Sequence, residues 1–388
     1  MADKDTLSEQ ERAVLDRIAS DPYAGQQEIA DSLSLARPTI ATYIAQLTRK
    51  GYLLGRAYVL AGSNRIVCLG GATVDRKYHT MQPLQRGTSN PARSRRSFGG
   101  VARNVAETLS RLDVPSTLVS VVGDDENGRS LIRHLQTTGV DTTRLMTASG
   151  HTTAEYTALL GPDNDLAFGI ADMDILETIT IEDVQRAWPV LASASWVFAD
   201  CNLPQPVLSW LIARRGGARF QLAIDAVSSL KVMRLQGSLR GIDLLFLNVQ
   251  EAAALLDASP GAPPSVLANE LRATGIGSVA LSLGSDGLLL AQDESMVEMP
   301  GLSARVVDVT GAGDALIAGT LSQLIKGEPL VGACRIGMLA AVLTIESEDS
   351  VSLSMSAQLL QNNIHRLAPQ TLAPQSLAPQ KRQGRKAS

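Results

Sequence analysis

The chain has 388 residues, with 35 basic and 39 acidic side chains and a formal net charge of −4. This length predicts two or three domains, and the nearly balanced charge excludes a general electrostatic field for binding nucleic acid or membranes. The three cysteines and four histidines lie far apart in the sequence, which excludes a disulfide scaffold and zinc-finger spacing. The polar N-terminus and the lack of any apolar run of ~18–20 residues predict a soluble cytoplasmic protein without a membrane partner.

The first sixty residues predict three helices followed by a short hairpin. The first helix is expected to begin near Ser8, with Glu11 at the spacing of a capping box. Further helices are expected at 26–33 and 37–47, and the alternation over 52–60 predicts a wing. This order of elements resembles the winged helix-turn-helix domains of bacterial regulators.

That resemblance implies a DNA-binding domain over 1–62, with its third helix in the major groove. Residues 1–60 carry seven basic and eight acidic side chains, a balance that is poor for counterion release. A packing or dimerisation module is therefore the alternative. The candidate base contacts are Arg37, Thr39, Thr42 and Tyr43, and the candidate phosphate contacts are Arg49, Lys50 and Arg56.

From residue 65 onward, apolar runs alternate with amphipathic segments and predict an α/β domain over 63–366. Strands are expected at 65–69, 117–122, 195–199, 221–224, 243–247 and 278–283. Helices are expected at about 100–112, 127–138, 204–214, 248–256, 263–274, 312–326 and 329–345. The alternation predicts a mostly parallel sheet with helices on both faces, and ligands in such folds bind at the carboxyl ends of the strands.

The C-terminal segment contains the sequence Leu-Ala-Pro-Gln three times, starting at Leu367. A proline at every fifth position prevents helix formation, and the segment has few residues that could form a core. The sequence therefore predicts a disordered tail over 367–388. Its basic end could contact an acidic partner, although a solvated tail is the simpler interpretation.

A glycine-rich motif, Asp308-Val309-Thr310-Gly311-Ala312-Gly313-Asp314-Ala315, directly precedes a predicted helix. Its glycines allow the backbone to approach a ligand closely, and the free N–H groups of Gly311, Ala312 and Gly313 would form an anion hole. Asp314 lies beside that position and is a candidate general base for an attacking hydroxyl. A glycine-rich turn followed by an ordinary acidic residue is the alternative.

The motif resembles the C-terminal signature of the PfkB/ribokinase family of carbohydrate kinases. The N-terminal signature of that family is matched by Gly99-Gly100-Val101-Ala102-Arg103-Asn104-Val105-Ala106, and a further family motif is matched by Gly70-Gly71-Ala72-Thr73-Val74-Asp75. The resemblance implies an ATP-dependent kinase with a ribokinase-like α/β fold and a small β lid formed by 75–98 and strands near 151–170. The substrate-binding residues that it implies are Asp75, Gly99, Gly100 and Asn104.

Two shorter motifs agree with the same family, and they imply the nucleotide site. Asn248-Val249-Gln250-Glu251 resembles its Asn-x-x-Glu motif, and 282–287 resembles its nucleotide-phosphate loop. Glu251 is implied to position Mg²⁺ through water. The implied ATP-binding residues are Asn248, Glu251, Ser282, Gly284 and Gly287.

The resemblance also bears on a monovalent cation and on assembly. Asp308 and Thr310 match positions that bind K⁺ in relatives. Residues 347–352, Ser-Glu-Asp-Ser-Val-Ser, depart from the usual glycine-containing loop, so the K⁺ site is in doubt. Relatives form dimers through the lid, which implies a homodimer here.

Four segments, 87–91, 171–175, 199–203 and 225–231, resemble the pseudouridine kinase branch, some of whose bacterial members carry an N-terminal helix-turn-helix. That resemblance implies phosphorylation of the 5′-hydroxyl of pseudouridine, with Asn202 as a substrate contact. Asn202 could instead be the N-cap of the helix at 204–214.

Three other functions are the alternatives. The first is a kinase acting on another sugar or nucleoside. The second is a transcription regulator that only senses a nucleoside, although the intact Gly-Ala-Gly-Asp run argues against a catalytically inactive sensor. The third, a nicotinamide oxidoreductase, has no support because no strand leads into a Gly-x-Gly-x-x-Gly turn near the start of the α/β domain.

Overall fold

The computed structural model describes residues 7–21, 24–53, 64–163, 165–237, 239–259, 261–293 and 295–367, and the backbone of 375–376. Most of the predicted wing at 52–60, including Arg56, lies outside the described residues. Most of the predicted tail does as well. Within that tail, Gln375–Ser376 form a two-residue strand that pairs with 295–296.

The N-terminal unit contains the three predicted helices: α1 Glu9–Ser20, α2 Gln26–Leu33 and α3 Arg37–Arg49. The predicted capping box is confirmed, because the Glu11 N–H donates to Ser8 Oγ at 3.2 Å and the Ser8 N–H donates to Glu11 Oε2 at 2.9 Å. The helices enclose a small core of their own, with Val14, Ile18, Ile29, Ile40, Leu47 and Leu53 fully buried.

The remaining strands form two sheets. In chain order they are β1 Ile66–Leu69, β2 Thr73–Thr80, β3 Ala92–Gly99, β4 Ser116–Gly123, β5 Asp141–Ala148, β6 Glu155–Leu160, β7 Leu166–Asp172, β8 Trp196–Asp200, β9 Gln221–Asp225, β10 Leu244–Asn248, β11 Ser278–Ser282, β12 Gly287–Gln292, β13 Ser295–Pro300 and β14 Gln375–Ser376. The large sheet has the order β14-β13-β12-β11-β10-β9-β8-β1-β4-β5.

The large sheet confirms the predicted mostly parallel architecture. Neighbouring strands are parallel from β11 to β5, and β11 to β14 are antiparallel. The six predicted strands are β1, β4, β8, β9, β10 and β11, and their bounds agree to within one residue. The central strands are buried along their whole length, as expected for a sheet that is covered on both faces.

A small second sheet, with the order β3-β2-β6-β7, forms the lid. It is composed of the two segments that the sequence predicted for it. The edge strand β7 leaves Leu166, Phe168 and Ile170 exposed.

Nine further helices surround the large sheet within the described part of the chain: α4 Val101–Arg111, α5 Glu126–Thr137, α6 Ile181–Ser193, α7 Gln205–Arg215, α8 Val249–Leu256, α9 Pro264–Ala273, α10 Ala312–Leu324, α11 Leu330–Ile345 and α12 Ala357–Asn363. The sequence predicted all of these except α6 and α12. Among the described residues, the helices are too short or too polar to cross a bilayer.

Candidate active site

The predicted anion hole lies at the start of α10, with Gly311 as the N-cap residue. Gly311 has a φ of 84°, and a Cβ there would lie 1.9 Å from the Ser350 carbonyl oxygen, so a side chain is excluded. A Cβ on Gly313 would meet only open space. Gly313 and Asp314 line a cavity of about 180 Å³. The start of the helix is therefore open to a ligand, but the N–H of Ala312, which was predicted to be free, donates to the Val309 carbonyl oxygen at 3.3 Å.

Asp314 is joined to the N-terminal signature by a direct hydrogen bond. The Asn104 Nδ2 group on α4 donates to Asp314 Oδ2 at 2.6 Å, across 210 positions of sequence. The other end of that amide, Asn104 Oδ1, is buried and accepts no hydrogen bond from any described residue. A buried acceptor without a partner is costly, and a ligand hydroxyl beside Asp314 would satisfy it.

The surroundings of Asp314 suit a base that works near neutral pH. Burial raises the pKa of its carboxyl group to about 6, and the charges of Asp200 and Asp75 add to that rise. The Asn104 amide and the Arg103 guanidinium act in the opposite direction and lower the pKa. A carboxylate with this pKa is ionised at pH 7 and is a stronger base than an exposed aspartate.

The pKa of Asp314 predicts an acidic limb in the pH profile of the reaction. Since only the ionised carboxylate accepts a proton, kcat/KM is expected to fall about tenfold per pH unit below about pH 6. Steady-state kinetics from about pH 5 to about pH 9 with excess Mg²⁺ measures this limb. A profile that stays flat to about pH 5 would contradict the assignment of the base.

The predicted substrate residues near the lid lie together. Thr73 Oγ1 donates to Asp75 Oδ1 at 2.9 Å, and burial raises the pKa of Asp75. A Cβ on Gly99 would lie 2.2 Å from Asp75 Oδ2, so the carboxylate packs directly on this glycine. Gly100 has a φ of 91°, and a Cβ there would lie 2.5 Å from the Gly71 carbonyl oxygen. Asp75, Gly99 and Gly100 thus form one surface beside Asn104.

Asp200 holds this surface together, and the sequence analysis did not identify it as a site residue. Its buried carboxylate accepts three backbone N–H bonds: from Gly71 at 2.9 Å, Ala102 at 2.8 Å and Asn202 at 2.9 Å. Asp200 thereby fixes the loop after β1 against the start of α4. Its position at the carboxyl end of a buried strand was a signal that could have identified it.

Arg103 is a second site residue that the sequence analysis missed. It is fully buried, and its Nε donates to the Gly99 carbonyl oxygen at 3.1 Å. Its Nη2 donates to the Phe98 carbonyl oxygen, and its Nη1 donates to Glu107 Oε2 at 2.6 Å. The arginine therefore sets the orientation of the backbone that leads into the Gly-Gly turn.

Asn202 is not the N-cap of α7, so that alternative was wrong: the helix begins at Gln205 with Pro204 as its N-cap. The Asn202 side chain instead accepts a hydrogen bond from Lys231. A Cβ on Gly71 would lie 2.8 Å from Asn202 Nδ2. Asn202 therefore lies beside the loop that Asp200 fixes, at the same end of the sheet as the other candidate residues.

The Asn-x-x-Glu motif forms a capping box at the start of α8. The Asn248 N–H donates to Glu251 Oε2 at 2.8 Å, and the Glu251 N–H donates to Asn248 Oδ1 at 2.9 Å. This structural role accounts for the spacing of the motif. The buried Glu251 also lines the 180 Å³ cavity that contains Asp314.

The predicted nucleotide loop continues the site outward. Asn248, Ser282 and Gly284 line a groove of about 450 Å³, and Asn248 and Ser282 also line the smaller cavity. The two spaces therefore adjoin. Gly287 lies apart from both linings and begins β12 with a φ of 114°, so its observed role is in the turn.

The carboxylates at the inner end of the groove suit a divalent cation. Asp225, Glu251 and Asp314 line the same cavity. Burial raises the pKa of Asp225 well above its ordinary value, and the charges of Asp314, Glu251 and Asp200 raise it further. Burial also raises the pKa of Glu251. Mutual repulsion of this kind is relieved by a cation, and oxygen ligands are those that Mg²⁺ prefers.

Within the described ranges, no group of three or more His, Cys, Asp or Glu side chains encloses a metal position by itself. A magnesium ion here would need water and phosphate oxygens to complete its coordination, which is the usual arrangement in phosphoryl-transfer sites. Asp225, at the carboxyl end of β9, is a candidate Mg²⁺ residue that the sequence analysis missed.

The residues predicted for K⁺ are engaged within the protein. Asp308 Oδ1 accepts the Thr310 N–H at 2.9 Å, and Asp308 Oδ2 accepts Lys77 Nζ at 2.5 Å. Both oxygens of the carboxylate thus have donors, and one donor is a cation. This arrangement does not fit a monovalent cation held by Asp308 and Thr310.

The candidate DNA contacts on α3 differ in exposure. Arg37 and Thr42 are exposed, whereas Thr39 and Tyr43 are half-buried. Tyr43 packs on the core of the N-terminal unit, and its hydroxyl group donates to Gln10. Lys50, a predicted phosphate contact, is paired with Glu11 at 2.6 Å. The exposed stripe of the helix is formed by Arg37, Pro38, Thr42, Ala45 and Arg49.

Comparisons with known proteins agree with these two units. Residues 63–357 match the model of the pfkB family carbohydrate kinases, and residues 7–53 match a winged helix-turn-helix DNA-binding family. The pseudouridine kinase of Escherichia coli K12 is 29% identical over 297 residues, which cover 75% of this chain and 94% of that protein.

Two further similarities cover most of the chain. The uncharacterized sugar kinase YeiI of Escherichia coli K12 is 26% identical over 354 residues, covering 90% of this chain and 97% of that protein. The structure of a carbohydrate kinase from Agrobacterium tumefaciens superimposes with a TM-score of 0.70 and 29% identity, covering 79% of this chain and 98% of that chain. The chain therefore belongs to the pfkB family of carbohydrate kinases, with a winged helix-turn-helix unit before the kinase domain.

Proposed function

We propose that this kinase transfers the γ-phosphoryl group of ATP to the 5′-hydroxyl of a nucleoside, and that the nucleoside is pseudouridine. The hydrogen bond of 2.6 Å between Asn104 and Asp314 carries the proposal, because it joins the proposed base to an amide whose buried oxygen has no partner among the described residues. The similarity to a pseudouridine kinase supports the choice of nucleoside.

In this proposal, Asp75 and Asn104 hold the ribosyl hydroxyls, and Asn202 contacts the substrate from the Gly71 side. Asp314 removes the proton of the 5′-hydroxyl as its oxygen attacks phosphorus. The N–H groups of Gly311 and Gly313 stabilise the charge on the transferring phosphoryl group, by about 3 kcal/mol for each well-placed donor, and the Ala312 N–H would have to leave the Val309 carbonyl oxygen to join them.

Asn248, Ser282 and Gly284 would line the site of the nucleotide, and Asp225 and Glu251 would hold Mg²⁺ through water. When bound, Mg²⁺ neutralises phosphate charge and aligns the phosphates for in-line transfer. The lid would close over the substrate and exclude water, which prevents wasteful hydrolysis of ATP. The exposed Leu166, Phe168 and Ile170 on β7 support a homodimer through the lid.

The test is a substrate panel with the purified full-length chain, ATP and Mg²⁺. The acceptors are pseudouridine, uridine, adenosine, ribose and fructose 6-phosphate. Pseudouridine is expected to give the highest kcat/KM, and ³¹P–¹H correlation should place the phosphate on the 5′ methylene group. Preference for another acceptor would overturn the choice of substrate and leave the kinase assignment standing.

We also propose that the N-terminal unit, residues 1–62, binds DNA, so that one chain is both kinase and regulator. The observation that favours this function is the position of α3. The exposed stripe of this helix includes Arg37, Thr42 and Arg49, whose side chains can reach DNA. The end of the unit packs on the kinase domain, with Gly51 against Ala192 and the Tyr52 ring 3.8 Å from the Arg219 guanidinium.

We place the kinase domain at 63–366 and the C-terminal tail at 367–388.

Arg37→Ala is expected to weaken the affinity for DNA about tenfold. Arg49→Ala is expected to reduce the slope of log affinity against log salt concentration by about 1, which corresponds to the loss of one phosphate contact. Fluorescence anisotropy with a duplex from upstream of the coding sequence, against an unrelated duplex of equal length, measures both effects. The matched control is Arg133→Ala on α5, another exposed arginine. Equal affinity for the two duplexes would contradict a regulatory role, and no binding at all would favour a packing module.

A further inference from the structure

Two basic residues of the lid lie side by side across neighbouring strands. Lys77 on β2 is in direct register with Arg95 on β3. Because directly opposed residues of antiparallel strands project from the same face of a sheet, both cations are on one side of the lid. Each of them contacts a loop of the large domain that borders the anion hole.

Lys77 reaches the loop that leads into the anion hole. Its Nζ lies 2.5 Å from Asp308 Oδ2 and 3.3 Å from Thr310 Oγ1. The side chains of Lys77 and Asp308 are only 24% and 26% exposed, so the pair is partly withdrawn from water. One residue further on, Gly311 is the N-cap of α10. The ammonium group therefore lies where the C-terminal signature turns toward the phosphate position.

Arg95 reaches the loop that packs against Gly311. Its guanidinium donates to Glu348 Oε2 at 2.8 Å and to Asp349 Oδ1 at 2.6 Å. Next to them, the Ser350 hydroxyl donates to the carbonyl oxygen of Phe98, also on β3, at 3.3 Å. These residues belong to 347–352, the segment that departs from the glycine-containing loop of the family. In this chain the segment binds the lid.

We propose that the Lys77 ammonium group takes the place of a monovalent cation beside the anion hole, so that this kinase works without K⁺. The proposal rests on the proposed phosphoryl transfer, and it assigns Lys77 as a positioning residue. A potassium ion at Asp308 would lie next to the ammonium group and be repelled by it. The positive charge is thus supplied by the lid, and it reaches the anion hole only when the lid contacts the large domain.

The test compares wild type, Lys77→Met, Lys77→Arg and the exposed-lysine control Lys326→Met in chloride salts of K⁺, Na⁺ and tetramethylammonium at equal ionic strength. The kcat/KM of the wild type is expected to differ by less than about twofold between the salts, and the same is expected for Lys77→Arg and for the control. Lys77→Met is expected to lose about tenfold or more in tetramethylammonium and to regain activity in K⁺.

A second readout does not depend on the acceptor. With a non-hydrolysable ATP analogue, K⁺ should raise the Tm of Lys77→Met above its value in tetramethylammonium and leave the Tm of wild type unchanged. If no acceptor is phosphorylated, the proposed function is refuted, and the Tm comparison still decides whether Lys77 takes the place of K⁺. Activation of wild type by K⁺ of about tenfold, or a K⁺-specific rise in its Tm, would overturn the inference, even if Lys77→Met fails to fold.

Discussion

Asp314→Asn is expected to lower turnover at least ~100-fold and to leave nucleotide binding in place, since the variant keeps the shape of the side chain and loses only the base. The amide can still accept the Asn104 hydrogen bond, so the geometry that joins α4 to α10 should persist. The measurement is kcat at saturating ATP and acceptor, with nucleotide affinity from calorimetry. Near-normal turnover would contradict the assignment of Asp314 as the base.

The same variant should stabilise the fold at alkaline pH. The pKa of Asp314 is raised from 3.8 to about 6, so the folded state holds this proton more tightly than the unfolded state does. Stability from this group is therefore complete below 3.8 and is lost as the pH rises through about 6. Replacing the carboxylate should add on the order of 1–3 kcal/mol to the free energy of unfolding at about pH 8.

The matched control for Asp314→Asn is Asp163→Asn, on the exposed turn between β6 and β7. It should change neither turnover nor stability measurably. An Asp314→Asn protein that is inactive and also less stable than wild type would indicate a loss of structure. Loss of activity together with a gain in stability is the signature of a catalytic group held in an unfavourable environment.

Glu107→Gln is expected to destabilise the kinase domain by on the order of 3–5 kcal/mol, because it leaves buried positive charge without its partner. The Glu107 carboxylate is 1% exposed and accepts bonds from Arg103 Nη1 at 2.6 Å and Arg111 Nη2 at 2.8 Å. His134 Nε2 lies 2.8 Å from the same carboxylate. Since Arg103 orients the Gly99 carbonyl group, substrate affinity should fall as well.

The pH dependence of this contribution has the opposite sign to that of Asp314. Burial pushes the pKa of Glu107 upward, but the His134 hydrogen bond and the charges of Arg103 and His134 outweigh it, and the pKa is lowered from 4.5 to about 2. The stabilisation is therefore present above 4.5 and is lost as the pH falls toward about 2.

Urea unfolding of wild type and Glu107→Gln at neutral pH and at about pH 3 measures the contribution of Glu107 and its loss in acid. The control is Glu126→Gln, an exposed glutamate on α5 paired with Arg133, which should leave the stability almost unchanged. A loss for Glu107→Gln no larger than that of the control would show that the buried network does not hold the domain together.

Much of the fold could be predicted because hydrophobic periodicity is local. The six buried strands were predicted to within one residue, since parallel strands covered on both faces are continuous apolar runs. The helix α6 was missed because Pro189 lies within it, where proline usually ends a helix. The antiparallel β13 was missed because its pattern is weak, with Met296 and Val297 only partly buried, whereas β12 was missed although its apolar run at 288–291 is buried.

The candidate site was predictable only where its chemistry is contained in contiguous motifs. Asp314, Asn104 and Asp75 stand in such motifs, and in the structure Asn104 donates to Asp314 while Asp75 packs on Gly99, just before the start of α4. Asp200 and Lys77 were missed because their roles depend on packing: they contact residues 129 and 231 positions away. No local pattern encodes contacts of that kind, although a polar residue at the end of a buried strand indicates where to look.

The measurement that tests the central claim most directly is a competition between pseudouridine and uridine for limiting ATP in one reaction. The two acceptors are isomers with the same ribosyl 5′-hydroxyl, so the product ratio reports the ratio of their kcat/KM values. We predict that pseudouridine 5′-phosphate exceeds uridine 5′-phosphate by at least ~10-fold with the wild type. Equal amounts of the two products, or an excess of uridine 5′-phosphate, would contradict the account.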